Sequence, residues 1–250
     1  MAHPLKILVI LSEEGARGVA ATGIIGERVQ ACGHECLPAH CFEGDPLPES
    51  ASGYDGLLVM GGGMSVFDPA YAEGVDRICG LVAAFHEDRK PVLGVCLGAQ
   101  LVAHTFGGRV YRLENMEFGF KELERLPASE GDPLLDDRKP SLHLYEGHRD
   151  GFELPPGAVL LMAGREVPNQ VMRLGPTTYG FQCHFEATAE IIDHWNRVHR
   201  EMIGSWLGSD APHRFAEVER DIPRYIGEAE GFAMSVTDRW LDLVERRRDG

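Results

Sequence analysis

The chain has no apolar run near the roughly 18 uninterrupted residues of a membrane helix. It opens on a short strand pattern, Leu5-Lys-Ile-Leu-Val-Ile-Leu11, with no basic leader, so a soluble, cytoplasmic protein is expected and a membrane partner is not. Cationic charge is also scarce. Lys and Arg number 24 against 39 Asp and Glu, a formal charge of −15 that repels phosphate backbones and argues against a nucleic-acid partner. Cys32, Cys36, Cys41, Cys79, Cys96 and Cys183 lack framework spacing and suit free thiols, and the first three lack a histidine at zinc-like spacing, so no metal is expected. There are no repeats, low-complexity tracts or clear linkers. What remains is ample core material: 250 residues, 44% hydrophobic, with 11 Phe.

Short apolar runs alternate with longer amphipathic segments, the pattern of a largely parallel sheet covered by helices. Strands are predicted at 5–11, 35–40, 56–60, 91–95, 108–113, 118–126, 141–147, 158–163, 170–174 and 178–184, and helices at 17–32, 71–89, 97–106, 187–206, 212–228 and 232–248. Between 108 and 184 strands follow one another through turn signals such as Pro155-Pro-Gly157, so the second half of the sheet is expected to be mixed or antiparallel. Beyond His184 the pattern is helical, with breaks near Gly208 and Gly231 and with Trp195, Trp206 and Trp240 as anchors. The Arg246-Arg-Arg248 run is read as cations on a helix's last turn.

Three segments carry chemistry. In Pro91-Val-Leu-Gly-Val-Cys96-Leu-Gly-Ala-Gln100 a strand stops at a cysteine bracketed by Gly94 and Gly98, and a helix follows at once, the pattern of a nucleophile elbow. The helix N-terminus favours thiolate over thiol at Cys96. Gly61-Gly-Gly63 ends a neighbouring apolar strand and can turn amide N–H groups toward an oxyanion near Cys96, with Leu97 N–H as a second donor. Read alone, it is equally a tight turn. In Tyr179-Gly-Phe-Gln-Cys-His184-Phe-Glu186 the i and i+2 residues face one way, so Glu186 can orient His184 while His184 takes a proton from Cys96. Of the 11 histidines only His148 shares so suggestive a context.

These residues resemble the class I glutamine amidotransferases, especially stand-alone members similar to the amidotransferase domain of guanylate (GMP) synthase. The matching segments, in order, are Val59-Met-Gly-Gly-Gly-Met-Ser-Val66, Pro91–Leu101, Gly147-His-Arg-Asp-Gly-Phe-Glu-Leu-Pro155, Pro168-Asn-Gln170 and Gly180-Phe-Gln-Cys-His-Phe-Glu186. The resemblance implies a flavodoxin-like three-layer α/β sandwich over residues 1–190 and a helical extension, 191–250, packed on it. It implies a Cys96–His184–Glu186 triad cleaving a γ-glutamyl amide through a thioester, with release of glutamate and ammonia and without a cofactor. Gly62 and Leu97 would form the oxyanion hole, Gln100 and Gly61 would contact a small-molecule substrate, and His148 and Asp150, on a loop before the Leu154-Pro-Pro-Gly157 turn, would either shape the substrate site or pin the loop. The chain departs from the family at Phe185 and Gly63, where proline is usual, and at Cys183, where an aromatic is usual. Phe185 is expected to loosen the corner that aims Glu186.

Two further readings stay open: a γ-glutamyl peptidase or hydrolase acting on a γ-glutamyl amine or peptide, and a non-catalytic regulatory protein with the same fold. A cysteine α/β-hydrolase ranks below them because its acid precedes the histidine. No glycine-rich phosphate loop follows residue 190, so an ammonia-using synthase is expected as a separate subunit. The last helices are open to three roles: sheet cover, homodimer contact or partner dock.

Overall fold

The computed structural model of the protein describes residues 3–12, 19–41, 44–135 and 139–249. They form one nine-stranded mixed sheet in the order β2-β1-β3-β4-β9-β8-β7-β5-β6. The strands are β1 (Lys6–Leu11), β2 (Glu35–His40), β3 (Gly56–Val59), β4 (Val92–Val95), β5 (Val110–Arg125), β6 (Ser141–Phe152), β7 (Ala158–Gly164), β8 (Val171–Leu174) and β9 (Thr178–Phe181). The β2-β1-β3-β4-β9 half is parallel, and every pairing from β9 outward to β6 is antiparallel. The sheet divides along the line drawn in the sequence between helix-linked and turn-linked strands.

The helices are α1 (Gly23–Ala31), α2 (Ala72–Glu87), α3 (Leu97–Thr105), α4 (Ala189–Val198), α5 (Arg200–Leu207) and α6 (Ala211–Asp249). Central strands are apolar on both sides, as a sheet covered on both faces requires. Leu5, Ile7, Val9 and Leu11 join a core with Ile25 of α1 and Phe232, Val236 and Trp240 of α6. Leu8 and Ile10 join the opposite core with Ile78, Val82 and Phe85 of α2 and Val102 of α3. A third cluster packs Phe118, Phe120 and Tyr145 of the antiparallel half against Ile192, Ile203 and Phe215 of the last three helices.

Several boundaries differ from expectation. The strands predicted at 108–113 and 118–126 are one strand, β5, whose register against β6 shifts between Arg112 and Glu117, so a bulge stands where a turn was read. Strand β6 runs on to Phe152 and carries His148 and Asp150, which therefore lie on a strand and not on a loop. The helix predicted at 17–32 begins at Gly23 after a 3-10 turn at Val19–Thr22; residues 17 and 18 lie outside the described residues. The segment predicted as one helix over 187–206 breaks at His199 into α4 and α5. Conversely, α6 passes through Pro223 and Gly231 without a break. A glycine inside a helix costs about 1 kcal/mol, which burial of the adjacent Phe232, Ala233 and Val236 outweighs. The 3-10 turn at Gly208–Asp210 stands where a break was expected.

Helix α6 is also tied by its cations. Arg28 on α1 pairs with Asp238, with Nε to Oδ1 at 2.5 Å, Arg247 donates to the Arg89 carbonyl, and Arg248 donates to the His3 carbonyl. None of the described helices is long and apolar enough to cross a membrane. Trp240 is fully buried against β1 and β3, so Trp240→Ala should cost about 3–5 kcal/mol in urea unfolding, whereas Arg246→Ala, at an exposed site, should stay within about 0.5 kcal/mol.

Candidate active site

Strand β4 ends at Val95 and α3 begins at Leu97, leaving Cys96 alone to reverse the chain. Its φ of 51° and ψ of −108° lie where a non-glycine residue is strained, the backbone signature of a nucleophile elbow. The turn is possible because its glycines have no side chains. A Cβ on Gly98 would collide with the Val59 carbonyl of β3, and one on Gly94 would sit 2.5 Å from the Gly98 carbonyl. The Cys96 N–H donates to the Phe181 carbonyl at 2.7 Å, tying the elbow to β9. Leu97 is the first residue of α3, so its N–H belongs to the first turn, which has no intrahelical acceptors.

The strand expected over 178–184 ends at Phe181; the chain then bends through Gln182 and Cys183, and Phe185 and Glu186 form a turn. His184 N–H donates to the Tyr145 carbonyl at 2.8 Å, bridging to β6. The His184 Nδ1–H donates to Glu186 Oε1 at 2.9 Å, so Nε2 is left for the Cys96 side. Both residues are buried, and the ring meets Trp195 edge-on at 4.9 Å between centroids. Burial works against a charged imidazole. The Glu186 carboxylate and the Cys96 sulfur outweigh it and hold the His184 pKa well above the ordinary histidine value. A Cβ at Gly61 would meet His184 Cε1 at 3.1 Å and Cys96 Cβ at 3.4 Å, so one point touches both groups and only glycine leaves it open.

Phe185 does not loosen this corner. It is fully buried, 4.5 Å from Phe181 and 6.0 Å from Phe232 between ring centroids, and packing holds the backbone where proline's ring would hold it. Cys183 is also fully buried, and burial with nearby Glu146 and Glu186 keeps it a thiol.

Two cavities meet at Cys96. The smaller, about 70 Å³, is polar and lined by Ser65, Gln100, Arg112, His148, Arg149 and Asp150. Asp150 accepts from Arg112 Nε at 2.5 Å and from the Ser65 hydroxyl, while Gln100 Nε2 donates to the Asp150 carbonyl at 2.9 Å. The larger, about 1140 Å³, contains His184 and Glu186 and is lined largely by apolar side chains. Gly62, Gly63 and Cys96 border both. Gln100 and Asp150 thus stand on the polar side of the sulfur, and Gly61 on the side of His184.

His148 turns inward. Its Nε2 lies 2.9 Å from Glu117 Oε2 and 3.1 Å from Glu146 Oε2, and its Nδ1 lies 3.0 Å from the Asp150 carbonyl. Gln170 Nε2 donates to the same Glu117 oxygen. Glu117, Glu146 and His148, all buried, also offer ligand atoms within 4.8 Å of one another, the geometry of a metal trio. Here an imidazole N–H shared by two carboxylates occupies that centre. Burial raises Glu146 to about 7, and the two carboxylates overcome the burial of His148 and lift it to about 10.

Sequence reasoning missed Glu117, Glu146, Ser65, Arg112, Gln182, Trp195 and Arg149. Gln182 Nε2 lies 3.8 Å from the Cys96 sulfur, and the Arg149 guanidinium stacks 4.4 Å above the Trp206 ring. A signal existed for one pair. Glu146 and His148 share the i, i+2 spacing of His184 and Glu186, here on strand β6, and Glu117 is the register partner of His148.

The sequence model of the glutamine amidotransferase class-I family matches residues 28–194, and the chain belongs to that family. It is 29% identical to the glutamine amidotransferase-like protein YfeJ of Salmonella typhimurium over 61% of this chain and 65% of that protein. It is 30% identical to the GMP synthase of Aeropyrum pernix over 86% of this chain and 38% of that enzyme. The chain spans from about a third to two-thirds of the length of these two relatives. A glutamine amidotransferase of Methylobacillus flagellatus superposes with a TM-score of 0.79 at 28% identity, covering 96% of this chain and 94% of that one. One from Thermotoga maritima has a TM-score of 0.80 at 21% identity, covering 96% and 99%, and shares the fold.

The buried trio sets a pH dependence. Glu146 titrates near the ordinary 4.5 when unfolded and is raised to about 7 by burial in the fold, so between these values the folded state holds the extra proton and stability falls as pH rises. Replacing Glu146 by Gln should flatten that fall by up to about 1.4 kcal/mol per pH unit between pH 5 and 7, read from urea midpoints across the range.

Proposed function

We propose that the protein is a γ-glutamyl amide hydrolase of the glutamine amidotransferase type, with Cys96 as nucleophile, His184 as base and acid, and Glu186 as the group that orients the ring. The observation that carries this reading is the His184 imidazole, bound at Nδ1 to a buried carboxylate and facing a cysteine held at a strained elbow.

The steps follow from the positions of the groups. His184 Nε2 takes the Cys96 proton as the sulfur attacks the side-chain amide carbon. The carbonyl oxygen becomes an oxyanion that the Gly62 and Leu97 N–H groups face, and loss of one such donor typically costs about 10²–10³ in rate. The tetrahedral intermediate expels the amine, which takes the proton from His184, and a γ-glutamyl thioester remains. Water, deprotonated by the same ring, attacks the thioester carbon and releases glutamate, and the proton returns to the sulfur. Glu186 keeps Nδ1 protonated so that Nε2 can cycle. In the polar cavity Arg112 and Arg149 supply cations for the substrate's α-carboxylate, and Asp150 supplies an acceptor for its α-ammonium. His148 supports that wall from behind through Glu117 and Glu146.

With glutamine as substrate the amine is ammonia, and the relatives named GMP synthase support a separate synthase subunit as its acceptor. The second reading, a hydrolase of larger γ-glutamyl amides, is favoured by the size of the cavity on the His184 side.

Cys96→Ser should abolish glutamate release from γ-glutamyl amides with little change in melting temperature, because the thiol contributes little packing. His184→Ala should lower kcat/KM by at least about 10²-fold. Turnover retained by the Cys96 variant, in a coupled glutamate assay, would refute the assignment.

A further inference from the structure

We propose that the large cavity beside His184 is a binding site for the amine half of the substrate, and that this amine is bulky and apolar, with an aromatic ring or long alkyl group. The inference rests on the hydrolase reading above and specifies its substrate class.

Direction comes from the proton. The group that departs from the thioester-forming intermediate must receive its proton from His184, so it leaves on the side of the sulfur where His184 stands. Of the two cavities that meet at Cys96, only the larger contains His184 and Glu186. The polar cavity, with its two arginines and Asp150, suits the charged end of a glutamyl group, and at about 70 Å³ it offers little room for more. An amide bond laid across the sulfur with its glutamyl end there places its nitrogen substituent in the larger cavity.

Size and chemistry define that substituent. Ammonia is about as large as a water molecule, whose share of liquid volume is about 30 Å³. The cavity of about 1140 Å³ is far larger than its release requires, and ligand pockets for drug-sized molecules run to about 300–1,000 Å³. Its apolar lining includes Met116, Phe118, Tyr145, Trp195, Met202 and Trp206. Among the described lining residues no Asp, Lys or Arg appears; Glu186, the single carboxylate, is bonded through Oε1 to His184, and the other imidazoles are His40 and His199. A cationic or anionic amine substituent would find few charged partners on so apolar a lining. An apolar one finds aromatic faces and flexible thioethers, which adapt to irregular shapes. Met202 stands 39% exposed at this wall, on the short helix α5 between the breaks at His199 and Gly208. An exposed methionine there is accounted for if a ligand's apolar group covers it.

The test compares γ-glutamyl-phenethylamide with γ-glutamyl-ethylamide and glutamine on the purified full chain, with glutamate release as readout. The two substituted amides expel alkylamines of similar basicity, so their ratio reports the binding of the ring rather than leaving-group quality. The expected result is a kcat/KM for the phenethylamide at least about 10-fold above that for the ethylamide, the scale of burying one aromatic ring. In the Met202→Glu variant, which puts a charge at an already exposed position, that ratio should shrink at least about 5-fold. Equal rates for the two alkylamides, or hydrolysis of glutamine in preference to both, overturns this inference and leaves the hydrolase reading standing. Failure of all three amides to release glutamate, in a chain that retains its melting transition, overturns both.

Discussion

The site depends on one steric constraint: strand β4 must reverse into α3 within a single residue while the helix lies against β3. Gly98 meets the Val59 carbonyl and Gly94 meets the Gly98 carbonyl so closely that neither tolerates a Cβ. Of the three residues between them, the one driven to positive φ is Cys96. Strain of this kind costs on the order of 1–3 kcal/mol and persists only where surrounding packing fixes it. Here the fixing is done by two buried parallel strands and by the Cys96 N–H bond to β9. The same β9 backbone runs on to His184, so one set of hydrogen bonds sets the spacing of sulfur and imidazole.

Charge is managed by layering. The imidazole of His184 lies between a sulfur and a carboxylate, and behind the polar cavity a second imidazole, His148, lies between two carboxylates. Burying carboxylates without partners would cost several kcal/mol each, and each imidazole offsets that cost. The arrangement keeps a dense set of ionisable groups within the walls of the site while the sheet's central strands stay apolar.

Legibility followed locality. The elbow, the glycine loop and the His-x-Glu corner are contiguous motifs, and the i, i+2 spacing was enough to pair Glu186 with His184, although the structure joins them through a turn rather than an extended strand. The parallel half of the sheet was legible mainly because β1, β3 and β4 are short buried apolar runs. Strand β5 was split in two because Leu113 to Met116 lack clean alternation, and only pairing with β6 shows that the interruption is a bulge. Helix α6 was broken at Gly231 because propensity was read without the burial of Phe232 and Ala233 that overrides it. Glu117 and Glu146 escaped notice because their partnership spans two strands. Arg112 and Ser65, which meet at Asp150, come from distant parts of the chain, and no local pattern joins them.

Trp240 and Val244 of α6 fill the space over Gly56, whose absent Cβ would touch both, and Ile7 of β1 borders the same point. Strand β1 and helix α6, about 200 residues apart, therefore close a single interior. During synthesis, a nascent chain that has emerged only as far as the His184 corner presents the Leu5, Ile7 and Leu58 face of its sheet to water. Protection of that greasy face, by a chaperone or by rapid elongation, is a requirement written into the topology, because docking over it waits until α6 has left the ribosome.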